Sequence, residues 1–243
     1  LDSIFLIAAL IGGVSLLYAT AGQAGGTAFL AVMAVTGFAA DEMRPTALAL
    51  NIVAAGYATW RLHRSGAIDW TLLRRLTLPS LVTAFAGGLV VLNGRTYFIL
   101  TGLLLIAAAL LVMLKRETGN GAERPILALP ALLAGGVAGL LSGLSGVGGG
   151  VFLAPQLVAF GWASPKRASA LSPPFILCNS IVGLAAVLIA GQRLAPATTV
   201  YAAGALAGAI LGTAIGLRWM SDRATRYAMA AIMAFAGIRL LLR

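Results

Sequence analysis

Long apolar runs alternate along the chain with short stretches that carry proline, glycine and charge, and this punctuation divides the 243 residues into ten apolar segments. They cover about 4–19, 27–39, 45–62, 68–92, 96–114, 126–142, 150–161, 165–190, 196–218 and 224–242. A helix that crosses a bilayer needs roughly 20 apolar residues, with about 17 as a lower bound. The second and seventh segments, at about 13 and 12 residues, are too short to cross, and the first and sixth are marginal. The pattern predicts an all-α integral membrane protein with very short connections.

Composition points the same way. Hydrophobic residues make up 60% and charged residues 10%, against about 45–50% and about 25% in soluble domains. The formal charge of +10 is spread over Lys and Arg residues that stand singly or in pairs between apolar runs. No continuous basic face follows a phosphate backbone, so the charge indicates topology and no nucleic-acid partner is expected. Cys178 is the single cysteine and falls in an apolar run, which leaves no disulfide framework and no cysteine metal site. Neither a metal nor a cofactor is expected. Leu1 opens inside an apolar stretch with no basic region and cleavage site before it, so no removable signal peptide is expected.

Positions 12–31 align with 135–154 at a constant offset of 123, pairing Gly12 with Gly135, Gly13 with Gly136, Gly25 with Gly148, Gly26 with Gly149, and Phe29 with Phe152. The chain reads as an internal duplication. Residues 1–116 form the first repeat, 117–124 a linker of mixed polarity, and 125–243 the second repeat. Each half holds five segments, an odd number, so the second half meets the membrane from the opposite side. That is the inverted-repeat plan of many secondary transporters. Each repeat is expected to contain one re-entrant helical hairpin and three full spans.

Basic residues set the orientation. Arg61, Arg64, Arg74, Arg75, Lys115, Arg116, Arg124, Lys166, Arg167, Arg218, Arg223 and Arg226 fall on one side, and Arg44, Arg95, Arg193, Arg239 and Arg243 on the other, twelve against five. The richer side is expected to be cytoplasmic, which places both termini in the periplasm of a bacterial-type inner membrane. Trp60, Trp70, Trp162 and Trp219 cluster near the richer side, as interface anchors do.

The first two segments are joined by ATAGQAGGTAFLA (Ala19 to Ala31), and the corresponding pair in the second half by SGLSGVGGGVFLAP (Ser142 to Pro155). Neither connection carries a charge. Short flanking segments around an uncharged glycine-rich turn predict hairpin tips at membrane depth, where irregular backbone is tolerated only if buried in protein or facing a polar cavity. A helix is expected to start just after each tip, near Thr27 and Val151. Its unpaired N–H groups and positive dipole end would suit an anion. Gly25, Gly26, Gly148, Gly149 and Gly150 would let an oxyanion approach the backbone. Gly135, Gly139 and Gly143 instead have the small-xxx-small spacing of close helix packing.

The run GLSGVGGGVFLAPQL from Gly143 to Leu157, followed by SPPFILCNSIVGL from Ser172 to Leu184, resembles the second-repeat signature of the TauE/SafE family of anion transporters. TALALNIV from Thr46 to Val53 and RSGAIDW from Arg64 to Trp70 answer it in the first half. The resemblance covers nearly the whole chain. It implies a carrier of sulfite, sulfonates such as sulfoacetate, thiosulfate or related sulfur oxyanions, or of organic acids. The first tip has Ala24 and Thr27 where the second has Val147 and Gly150, so the two halves need not bind a ligand equivalently.

Asn51 and Asn179 lie inside the third and eighth segments, where a neutral amide can donate to an oxyanion or simply tie two helices together. Gln23, Thr20, Ser142 and Ser145 sit at the tips and could contact a ligand or satisfy broken backbone. Ser172 before Pro173 and Pro174 predicts a break or kink. Arg44 and Arg167 occupy corresponding helix starts and read as interface anchors, so no buried Arg or Lys is expected at the depth of the site. All seven acids, Asp2, Asp41, Glu42, Asp69, Glu117, Glu123 and Asp222, fall at segment ends, which places no carboxylate in an intramembrane proton relay.

Other classes are weaker. Gly143 to Gly146 spells the Gly-x-Ser-Gly of rhomboid serine proteases, but His63 is the one histidine and is expected at the boundary, out of reach of Ser145. Neither tip has the Gly-Lys-Ser/Thr of a nucleotide-driven pump. A channel would differ from a carrier in showing no saturation. The expected partners are therefore a small anionic substrate and the lipid bilayer; the sequence leaves the oligomeric state open.

Overall fold

The computed structural model describes residues 2–20, 23–114, 126–216 and 222–242. The linker 117–124, and Lys115, Arg116, Arg218, Trp219 and Arg243 of the charge and aromatic pattern, lie outside the described residues. The described residues form ten helices: α1 Asp2–Thr20, α2 Gly26–Thr36, α3 Ala40–Arg64, α4 Trp70–Leu89, α5 Gly94–Leu114, α6 Ala128–Ser145, α7 Gly150–Ala159, α8 Pro165–Ile189, α9 Thr198–Gly216 and α10 Asp222–Leu241. Each sequence segment has its helix. The first five are 19, 11, 25, 20 and 21 residues long and the second five 18, 10, 25, 19 and 20.

Local chemistry sets the ends. Asp69 caps α4 by accepting from the N–H groups of Thr71 and Leu72, and Ser164 caps α8 ahead of Pro165 at its first turn. The α3 helix has Asp41 and Glu42 in its first turn and Arg61, His63 and Arg64 in its last, matching the helix dipole at both ends.

Ser3–Thr20, Gly94–Leu111, Ala128–Ser145 and Arg167–Ile189 are long and apolar enough to cross a membrane. The first arms of both hairpins, marginal in the sequence, therefore reach full length, while α2 and α7 stay short. Large apolar side chains such as Phe5, Leu78, Val82, Leu129 and Ile189 are exposed on the outside, as a lipid solvent requires. Of the break or kink expected at Pro173 and Pro174, a break is absent: α8 continues through both prolines. Each proline only removes one N–H donor, releasing the carbonyls of Ser169 and Ala170 from their in-helix bonds.

Glycines bring the long helices into backbone contact. A Cβ on Gly135, Gly139 or Gly143 of α6 would lie 2.1, 2.2 and 2.2 Å from the carbonyl oxygens of Leu76, Ser80 and Ala84 on α4. These contacts advance together along both helices, so α4 and α6 run parallel. The α9 glycines Gly204, Gly208 and Gly212 meet the carbonyls of Ala8, Gly12 and Leu16 on α1 in the same manner, also parallel. One hydroxyl seals each pair: Ser15 donates to Ala205 O at 2.7 Å and Thr83 to Gly136 O at 2.7 Å. By contrast, α3 crosses α8 antiparallel, with Leu48 against Gly183 and Gly56 against Leu177. The α5 and α10 helices are antiparallel as well, joined at Gly102 and Gly237.

The starts of α1, α3 and α9 and the turn after α2 share one face, where Ile4, Phe38, Glu42, Ala195 and Tyr201 line a cleft of about 280 Å³. We call it the amino-terminal face. On the opposite face the Asp69 carboxylate receives the Arg167 guanidinium, tying the α4 start to the α8 start.

Candidate functional site

Both hairpins turn through glycine at positive φ. In the first, Gly25 (φ 99°) caps α2. In the second, Gly146, Gly148 and Gly149 have φ of 84°, 88° and 78° before α7 begins. Side chains rarely adopt this backbone region, so the sequence at each tip is fixed by the turn it makes.

The two tips touch. A Cβ on Gly26 would fall 2.2 Å from Val147 O of the other tip, and 2.6 and 2.8 Å from Nδ2 and Oδ1 of Asn51. One on Gly148 would fall 2.7 Å from Ile176 Cγ2, 3.0 Å from Asn51 Nδ2 and 3.4 Å from Ser180 Oγ. Gly26, Asn51, Val147, Gly148 and Ser180 therefore form one cluster, buried throughout. The helices α2 and α7 begin here, and the N–H groups of a helix's first turn lack intrahelical partners while carrying roughly half a positive charge.

Several polar atoms in and around the cluster have spare capacity. Asn51 donates to Gly146 O at 3.3 Å, but its Oδ1 has no partner. The hydroxyls of Ser180 and Ser142 have none either, and Ser142 Cβ is 3.3 Å from where a Cβ on Gly149 would be. A buried polar group without a partner costs about 1–3 kcal/mol. Buried polar groups are ordinarily hydrogen-bonded, so these atoms can each take a further partner. Amides and hydroxyls can each donate or accept, so the cluster suits a small oxygen-rich solute.

The remaining candidates are placed less directly. Asn179 is buried, with its amide donating to Phe175 O one turn back at 2.9 Å and its Oδ1 unpartnered. Gln23 lies at the first tip with an unpartnered Oε1. Ser145 spends its hydroxyl on its own hairpin, donating to Leu141 O at 2.6 Å and accepting from Val147 N at 3.2 Å. Thr20 and Ser172 likewise bond back to Leu17 O and Ala168 O. Ser180 carries no signal in the sequence, where it is one serine in an apolar run.

Arg44 corrects the sequence expectation. It is no interface anchor: its exposure is 0%. Its guanidinium donates to Val90 O at 3.0 Å, to Leu144 O at 3.3 Å and to Gly88 O, and its Nε is unpartnered. The ends of the parallel helices α4 and α6 converge there, and two negative dipole ends draw one cation inward. Arg167, the corresponding residue of the second half, is 39% exposed and paired with Asp69.

Proteolysis is untenable. Ser145 O–H points at Leu141 O, and His63 packs edge-on against Trp70 at a ring distance of 5.5 Å near the far end of α3.

Residues 5–240 match the family described as Sulfite exporter TauE/SafE. The chain belongs to that family. A probable membrane transporter protein of Sinorhizobium fredii is 29% identical over 232 residues, 94% of each chain. A probable membrane transporter protein of Methanocaldococcus jannaschii is 29% identical over 187 residues, 72% of this chain and 69% of its own. In Arabidopsis thaliana, sulfite exporter TauE/SafE family protein 1 is 29% identical over 122 residues, half of this chain and 26% of its own. No solved structure matches. Membrane transport by a multi-pass helical protein is the function that this membership carries.

Proposed function

We propose that the protein is a secondary transporter that carries a small anion, a sulfur oxyanion or organosulfonate such as sulfite or sulfoacetate, across the inner membrane by alternating access. The observation that carries this reading is the meeting of two helix N-termini, α2 and α7, at the Gly26–Val147 contact with Asn51 between them. Half-helix N-termini aimed at a common point supply positive potential and N–H donors without a buried lysine or arginine side chain touching the ligand. Neutral donors hold an anion modestly, which favours release on either side. The sulfite exporter description of the family and the name of the Arabidopsis relative support the substrate class.

We further infer an inverted repeat of residues 1–116 and 125–243. Three features support it: the matched helix lengths, the parallel pairs in which the first helix of each half lies along the fourth of the other, and the antiparallel pairing of third with third and fifth with fifth. A two-fold axis in the membrane plane generates this set of directions. The tight contact between the tips supports a carrier over an open channel.

Counterflow in proteoliposomes tests the proposal. Labelled sulfite should enter faster when unlabelled sulfite, sulfoacetate or thiosulfate is preloaded, and uptake should saturate. Flux that rises linearly with concentration and ignores the preload would establish a channel instead.

A further inference from the structure

We infer that Arg44 is a latch that holds the transport pathway closed at the amino-terminal face, an inference that rests on the alternating-access reading above. The residue belongs to the first half, on α3, yet one of its bonds is to Leu144 O at the end of α6 in the second half. Its other bonds are to Gly88 O and Val90 O, at and just beyond the end of α4. Tyr97 on α5 makes a parallel cross-half bond, donating to Ser145 O at 3.0 Å. The second tip is thus gripped at two successive carbonyls by side chains of the first half. Gly146, the next residue, lies so close that a Cβ there would be 3.0 Å from Arg44 Cγ. Its carbonyl accepts from Asn51, so a single peptide separates the latch from the cluster.

The counterpart in the second half is more exposed. Arg167 stands in the same register, followed by Ala168, Ser169, Ala170 and Leu171 where Arg44 is followed by Pro45, Thr46, Ala47 and Leu48. It is 39% exposed and engaged with Asp69 on the opposite face. Withdrawing Arg44 removes the cation that holds two converging helix C-termini together, and the second tip is then free to move from the first half.

Side-specific labelling tests the latch. Ser180→Cys, in a Cys178→Ala background, places a thiol in the buried cluster, and a membrane-impermeant maleimide is added to one side of sealed vesicles at a time. Arg44→Gln should speed labelling from the amino-terminal face by about ten-fold or more, the effect of losing hydrogen bonds from a charged donor. Labelling from the other side should not rise. Arg44→Lys should restore much of the protection, and Tyr97→Phe should give a smaller increase from the same side. The Tyr97 variant decides the matter if Arg44→Gln fails to fold. Unchanged labelling in folded variants, or equal acceleration from both sides, would overturn the inference and leave Arg44 as a helix cap. If the wild-type protein carries no sulfur oxyanion while labelling still responds on one side, the substrate reading fails and the latch stands. If transport is normal and labelling unresponsive, the reverse holds.

Discussion

Replacing Gly26 by alanine should impair transport far more than its chemical modesty suggests. The added Cβ would fall 2.2 Å from Val147 O, in a backbone that cannot rotate away, and within 2.8 Å of both amide atoms of Asn51. An ordinary carbon to carbonyl-oxygen contact is about 3.3 Å or more, so the tips must part by roughly 1 Å. Overpacking of this kind costs about 1–3 kcal/mol. If the tips must close on the solute during each cycle, that penalty lowers the population of the closed state by about 5–150-fold. The control is Gly13→Ala on α1, where nothing lies within 4 Å of the new Cβ. Alanine there should raise stability by roughly 0.5–1 kcal/mol, because it replaces glycine in a helix interior. Initial counterflow rates in proteoliposomes and melting in detergent together separate the cases. Gly26→Ala should lose most transport while still reconstituting, and Gly13→Ala should retain it. Wild-type rates in Gly26→Ala would show that contact between the tips is not part of the cycle.

The elements are legible in the sequence because punctuation and apolar length are local properties. All ten helices, the two short ones and both glycine tips follow from them, and α2 and α7 start within one residue of the expected Thr27 and Val151. What is not legible there depends on where remote segments converge. Arg44 sits one turn into a helix, where a charge is ordinarily at the surface; only the meeting of α4 and α6 above it makes an interior position tolerable. Ser180 carries no sign of depth in sequence and matters because the α3–α8 crossing sets it beside Gly148 and Asn51. The prolines of α8 do not break the helix. Their local preference is to interrupt, but the helix is held on both sides by packing against α3 and α4.

Three further outcomes are expected. Asn51→Ala removes the donor to Gly146 O and should reduce transport by about 5–150-fold, the equivalent of the roughly 1–3 kcal/mol of an unmade buried bond; a wild-type counterflow rate would remove Asn51 from the site. Asp69 is held below the usual carboxylate range first by the Leu72 N–H and then by Arg167. A carboxylate depressed on folding contributes stability above its unfolded value of about 3.9 and loses it as pH falls through the folded value. Wild-type melting temperature should therefore drop below pH about 4 more steeply than that of Asp69→Asn, and superimposable profiles would refute the assignment. The last prediction is that both termini face the periplasm. Burial of Arg44 takes it out of the charge count along the sequence, leaving four basic residues expected on the side of the termini against twelve expected on the other. Arg64, Arg74 and Arg75 are exposed on the opposite face. Trp60 and Trp70 stand 50% and 45% exposed beside them, with the Arg64 guanidinium 5.4 Å from the Trp60 ring centre, an arrangement suited to lipid headgroups. A reporter fused after Arg243 should be active only when periplasmic, and activity confined to the cytoplasm would reverse both the orientation and the side on which the Arg44 latch opens.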